Sequence, residues 1–202
     1  MSKNLRIVIP GVAHHVTQRG NNRQAVFEDR VDYLNYCQWM NQYAGRNCLG
    51  ILAYCLMPNH VHFIVIPEKE ESLSKTFHAV HMRYAQYMNR KKEASGHLWQ
   101  GRFYSCPLHD RHLYRALRYV EQNPVRGQIV DKAWQYLWSS ARWHLGLMKT
   151  PDIYLQESEI IERKRWKDYL CEEDVDFKVI HRDQVLEHQV PVNNYSKRMS
   201  SR

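Results

Sequence analysis

LGILAYCLMPNHVHFIVI, residues 49–66, decides the reading of the fold. Leu49 to Met57 is a nearly continuous apolar run with β character, Pro58-Asn59 is a turn signal, and an alternating segment follows from His60. Two strands, 49–57 and 60–66, joined by that turn make an antiparallel hairpin. Side chains alternate along a strand, so His60, His62, Ile64 and Ile66 share one face while Val61, Phe63 and Val65 share the other. The two imidazoles then stand roughly 6.5 Å apart along the strand, close enough for their ring nitrogens to converge on one ion. The same spacing also suits two partly exposed histidines with no metal between them. A metal site needs at least one more ligand on that face.

On the N-terminal side, residues 12–18 read as a strand, and Asp29 is a good N-cap for a helix carrying Tyr33, Cys37, Met40 and Ala44 at helical spacing. Gly45 is the natural stop of that helix. On the C-terminal side, Ser72 opens a second helix with Leu73, Phe77, Val80, Tyr84 and Tyr87 on one stripe, a core-packing pattern. Lys91 and Lys92 at its end read as solvated. A short strand follows at Phe103 to Leu108, then a helix from Asp110 to Asn123, where Pro124 disfavours helical geometry at the preceding residue. Strand, helix, strand, strand, helix, strand, helix is the order of an α+β sandwich with an antiparallel sheet, of the ferredoxin-like split βαβ type. Residues 1–148 form the expected main domain. Residues 149–202 form an acidic, partly helical C-terminal extension whose last ten residues read as a disordered tail.

Charge separates the same two regions. The 202-residue chain carries 29 Lys and Arg against 21 Asp and Glu, a net of +8. From residue 150 onward there are nine basic and eleven acidic residues, which leaves twenty and ten before it. A basic domain of this kind suits a polyanion, most often nucleic acid. No apolar run reaches the length of a membrane span, and the N-terminus does not read as a signal peptide. Five scattered cysteines without a CxxC pair suit a reducing compartment, and the expected location is a bacterial cytoplasm, near the nucleoid.

The helix 110–123 brings chemistry to the histidine pair. Tyr119 and Asn123 are four residues apart, hence on one face, with Arg115 a turn earlier. Asn123 can offer an amide oxygen as a third ligand, and Tyr119 a phenol beside the metal. Such a metal would neutralise charge on a phosphodiester during in-line attack, and a tyrosine can act as the nucleophile. Arg115 or Arg118 could favour the phenolate. Each residue also has an ordinary reading: Tyr119 as packing, and Asn before Pro as a helix end.

MPNHVHFIV (57–65) is similar to the His-hydrophobic-His motif of single-tyrosine HUH-type transposases. GVAHHVTQRGNNR (11–23), LMPNHVHFIV (56–65), GHLWQGRF (96–103) and LYRALRYVEQNPVRG (113–127) resemble, in order, the signature blocks of REP-associated tyrosine transposases. One departure is His14, where that family pattern has an aromatic residue. The resemblance implies a ferredoxin-like fold with His60 and His62 as metal ligands, Asn123 completing the site and Tyr119 as nucleophile. It further implies Mg²⁺ or Mn²⁺ as cofactor and, as substrate, single-stranded DNA carrying REP-like hairpins. Cleavage would leave a 5′-phosphotyrosine and a free 3′-OH, by a monomer or homodimer. Loop and end positions place Arg19, Arg23, Arg102 and Arg126 as DNA contacts, with Arg115 beside them and Trp99 either stacking on an unpaired base or packed in the core. Two other functions fit the same residues: a non-catalytic hairpin-DNA binder, and a zinc hydrolase using His60, His62 and Cys55.

Overall fold

The computed structural model describes residues 7–157, 161 and 163–172, the side chains of 163 and 164 excepted. Its strands are β1 (His14–Arg19), β2 (Leu49–Met57), β3 (His60–Pro67) and β4 (Tyr104–Pro107); its α-helices are α1 (Arg30–Arg46), α2 (Ser72–Lys91), α3 (Asp110–Arg126), α4 (Ala141–His144) and α5 (Arg163–Cys171). The strands form one antiparallel sheet in the order β2-β3-β1-β4, the ferredoxin-like arrangement. The tail expected at the C-terminus lies outside the described residues. No described helix is long and apolar enough to cross a membrane.

The hairpin lies where its alternation places it. Val61, Phe63 and Val65 of β3, with Val16 of β1 and Tyr54 and Leu56 of β2, join a fully buried core with Tyr36, Met40, Phe77 and Tyr84 of α1 and α2. An irregularity in β2 between Ile51 and Ala53 keeps both Ile51 and Tyr54 on this side although they are three residues apart. The opposite face is covered by α3, which packs on β2 and β3. Asp29 caps α1 through the amides of Val31 and Asp32, and Lys91 at the end of α2 bridges Asp29 and the buried Asp32 at 2.8 Å each. Lys91 and Lys92, expected to be solvated, therefore clasp two helix ends, Lys92 through Glu28 at 2.8 Å.

Two helix ends differ from expectation. Gly45 does not stop α1, which runs one residue further, to Arg46. Pro124 does not stop α3, which continues to Arg126. A proline removes the N–H that would reach the carbonyl four residues back. Here the Asn123 side-chain amide supplies donors instead, to the Val120 carbonyl at 3.3 Å and the Tyr119 carbonyl at 2.8 Å. Beyond α3, the chain runs along the open edge of β2: Leu56 donates to Trp138 O, Ser140 to Tyr54 O and Gln156 to Ile51 O. That satisfies edge groups which would otherwise be open to another strand.

His81 of α2 sits in the aromatic core, its Nε2 3.0 Å from the Tyr36 hydroxyl, and burial pushes its pKa down to about 3. The folded value lies below the unfolded one of about 6.5, so folding releases a proton at acid pH. Stability is complete above about pH 6.5 and falls toward pH 3 with a slope approaching 1.4 kcal/mol per pH unit for this one group. Urea titrations at pH 7.5, 6 and 4.5 should show that loss in the native chain and a shallower one in His81→Gln. Parallel pH profiles would remove His81 as the cause.

Candidate active site on the covered face of the sheet

The face of β3 turned to α3 carries His60 and His62. Antiparallel register adds Thr17 and Arg19 of β1 directly opposite them, and His15 opposite Ile64, so all share that face. His15 and His62 stack with rings 3° from parallel and centroids 5.2 Å apart, Nε2 of His15 lying 3.0 Å from Nδ1 of His62. The His60 and His62 rings are nearly perpendicular, with centroids 4.9 Å apart. Above them stands the half-buried Tyr119 ring, edge-on to both His62 at 5.7 Å and His15 at 6.0 Å. Asn123, one turn on, is hydrogen-bonded to His60 through its side chain. The structure thus brings Tyr119, His60, His62 and Asn123 together.

Each histidine is held by its Nδ1. That of His60 lies 2.6 Å from Asn59 Oδ1, and that of His62 is paired with His15. Holding one ring nitrogen on a neighbour is how a metal-binding imidazole is oriented to present the other. The Asn123 nitrogen is occupied by the helix carbonyls, which turns its oxygen to the site. Burial, then the Arg19 charge, pushes the His60 pKa down to about 4, so the ring is neutral and its lone pair available at pH 7. Two imidazoles and one amide oxygen fit a divalent cation with positions left for substrate oxygens. Among the described residues no group of three His, Cys, Asp or Glu side chains is arranged for a metal. Cys55 is directly opposite His62 in the register, but it is fully buried and burial drives its thiol well above the ordinary range, away from the thiolate zinc would need.

Burial raises the Tyr119 pKa, while Arg126 and then Arg19 pull it down. Arg126 lies over the ring, its Cζ 5.1 Å from the centroid. The cations expected in this role were Arg115 and Arg118, and this is a correction. Arg118 is buried over Tyr169 of α5, 4.8 Å from that ring's centroid, and Arg115 acts on the same tyrosine. Arg126, seven residues from Tyr119, returns to its stripe of the helix.

Arg19, Arg23, Arg102, Arg115 and Arg126 are exposed, whereas Trp99 is only 8% exposed. Its indole N–H donates to His81 O and its ring packs against His81 and Tyr84, so of its two readings the core one holds. It still borders a cavity of about 840 Å³ between α2 and the 96–103 loop, walled by Phe77 and Phe103 and rimmed by Lys75, His78 and Arg102. Gln18 and Asn21 also line it, so successive residues at the end of β1 serve two sites, Gln18 the cavity and Arg19 the histidine face. Sequence reasoning missed His15 and Asn59 as site residues. For His15 the signal was there: it shares a parity with Arg19 in a strand antiparallel to β3.

A family model described as "Transposase IS200 like" matches residues 9–123. No curated protein sequence matches the chain. A solved structure of a REP-associated tyrosine transposase bound to a REP hairpin is similar over 81% of this chain and 98% of that one, with TM-score 0.63 and 18% identity. A crystal structure from Deinococcus radiodurans R1, named for an inferred transposase, is similar over 60% and 97% of the two chains (TM-score 0.41, 20% identity). A bacterial tRNA-His guanylyltransferase-like protein in complex with GTP is similar over 61% and 68% (0.43, 15%). The last two likenesses are too slight to bear on the site.

If His15 orients His62, His15→Phe keeps the stacked ring but removes the nitrogen partner. Calorimetric Mn²⁺ titration should then show affinity lowered about 10–100-fold, the usual cost of losing such an outer partner, with an unchanged circular dichroism spectrum. Equal affinity in both proteins would take His15 out of the site.

Proposed function

The chain belongs to the IS200-like transposase family, and from that premise we propose that it is a tyrosine-nucleophile DNA endonuclease and strand transferase. It acts on single-stranded DNA beside REP-type hairpins. The observation that carries the reading is the Tyr119 ring standing edge-on to His62 and His15, with His60 and Asn123 beside it on the same covered face. The fold likeness to a hairpin-bound tyrosine transposase supports the substrate class.

Tyr119 Oη attacks the phosphorus of a phosphodiester in line with the leaving 3′-oxygen. The O–P bond to tyrosine forms, the P–O3′ bond breaks, and the phenolic proton ends on the 3′-hydroxyl. The 5′-phosphotyrosine diester so formed conserves the bond energy, and a second 3′-OH can reverse the step on another strand. His60, His62 and the Asn123 oxygen would hold a divalent cation, Mg²⁺ or Mn²⁺, which when bound would supply Lewis-acid chemistry to the phosphodiester. Arg19 and Arg126 draw the phosphate in and lower the cost of charge on the phenol. The cavity beside Phe77 and Phe103 accepts an unpaired base, with Lys75 and Arg102 for its phosphate.

A labelled hairpin oligonucleotide with single-stranded flanks, incubated with Mg²⁺ or Mn²⁺, should yield a covalent adduct stable to denaturing electrophoresis. Tyr119→Phe should form none, and His62→Ala should form it only in trace. An adduct that persists in Tyr119→Phe would overturn the nucleophile, and tight hairpin binding without any adduct would favour a simple DNA binder. Because the buried phenol titrates above 10, its reactive fraction grows with pH: single-turnover rates should climb close to tenfold per unit from pH 6.5 to 9. A rate flat with pH would show that loss of the phenolic proton does not control the step.

A further inference from the structure

Glu121 lies two residues from Tyr119, about 200° round the helix at 3.6 residues per turn, so it faces away from the histidines. It is fully buried. Its Oε1 accepts from the Ser140 hydroxyl and from His144 Nδ1, each at 2.5 Å, and its Oε2 accepts from the Trp166 indole N–H at 2.7 Å. Those donors belong to three segments: the turn paired with the edge of β2, the short α4 and the C-terminal α5. Ser140 also accepts from the Tyr54 amide at 3.1 Å, which connects the carboxyl to β2 itself. Trp166 is fully buried among Tyr114, Tyr169 and His144, and Gln122 next to Glu121 donates to Leu170 O at 2.6 Å.

We propose that Glu121 is a positioning residue for Tyr119: its three-point clamp fixes the roll of α3 and with it the placement of the phenol over His62. The inference rests on the functional reading of Tyr119. The physical argument is one of direction. Apolar packing is non-directional, so a helix lying on a greasy sheet can roll with little loss. Hydrogen bonds lose strength steeply away from their axis, and a buried carboxyl with unmade bonds is costly. A roll of about 10° displaces a side chain 5–6 Å from the helix axis by about 1 Å. Misplacement by about 1 Å is enough to slow a positioned reaction on the order of 100-fold. The clamp sits on the flank away from the chemistry, where it can hold the helix without touching DNA.

The test uses the full chain with Trp166→Phe, which removes one donor and keeps an aromatic ring, and Glu121→Gln. Well below the melting temperature, both variants should form the phosphotyrosine adduct about ten- to a hundredfold more slowly. Hairpin affinity should stay within about twofold, because α3 still presents its cations. The double variant should cost little more than the worse single one, since both break the same contact. A second readout does not need activity: 3-fluorotyrosine placed at position 119 should change its ¹⁹F shift or split in each variant, while the same label at the exposed Tyr104 stays put. An unmoved signal at 119, or a rate that falls only with the folded fraction, would overturn the proposal. Absence of adduct in the native chain would sink the functional reading instead, leaving the ¹⁹F comparison to decide the clamp.

Discussion

A strand has two faces, and β3 gives one of them wholly to the core: Val61, Phe63 and Val65 are fully buried against α1 and α2. Whatever stands on the other face must be covered by a different element, and here the cover is α3. Strands buried on both faces ordinarily read as unbroken apolar runs. This one departs from that pattern at the half-buried His60 and the buried His62, and polar rings withdrawn from water must find partners. Asn59 and Asn123 meet the first, and His15 meets the second. The site is therefore the set of partners that a two-faced strand requires once one of its buried positions and one half-buried position beside it are imidazoles.

The same cover sets the electrostatics. At Tyr119 burial opposes the charges of Arg126 and Arg19, and burial wins, so the resting side chain is a phenol. At His60 burial and the Arg19 charge act together and keep the ring neutral. One geometry thus suppresses ionisation of the phenol and keeps the imidazole neutral. The arginines do not overcome the phenol's burial at rest, but on the proposed function they lie where negative charge would gather when a phosphodiester arrives. Their contribution is larger to that state than to the free protein.

Period-two and period-3.6 patterns carried most of the fold into view. The hairpin, with its turn at Pro58-Asn59, and the cap at Asp29 follow from local chemistry, and so does the shared helix face of Tyr119 and Asn123; that this face meets the histidines was implied by the family resemblance. What stayed hidden depends on register and on distant segments. His15 shares a parity with Arg19, but its place beside His62 comes from antiparallel pairing across 47 positions. The cation beside Tyr119 is Arg126 rather than Arg115 or Arg118 because a long side chain has several destinations, and α5 draws Arg115 and Arg118 toward Tyr169. Glu121 lies two residues from Tyr119, and nothing in its immediate sequence marks it as buried. Only Ser140, His144 and Trp166 reveal it as buried.

Asn123 and Pro124 show how a helix-ending signal can serve a site. Proline leaves the Val120 carbonyl without its backbone donor, and the side-chain nitrogen of Asn123 takes that place while also reaching the Tyr119 carbonyl. Both bonds use the amide's donors, so its orientation is settled by the helix before any cation or DNA is considered. The oxygen is left for the histidine side. Aspartate at this position would have no donors for those carbonyls, and glutamine would carry the amide one methylene further from them. The two residues act as one device: the proline creates a vacancy in the helix, and filling it aims the amide oxygen of Asn123 at His60.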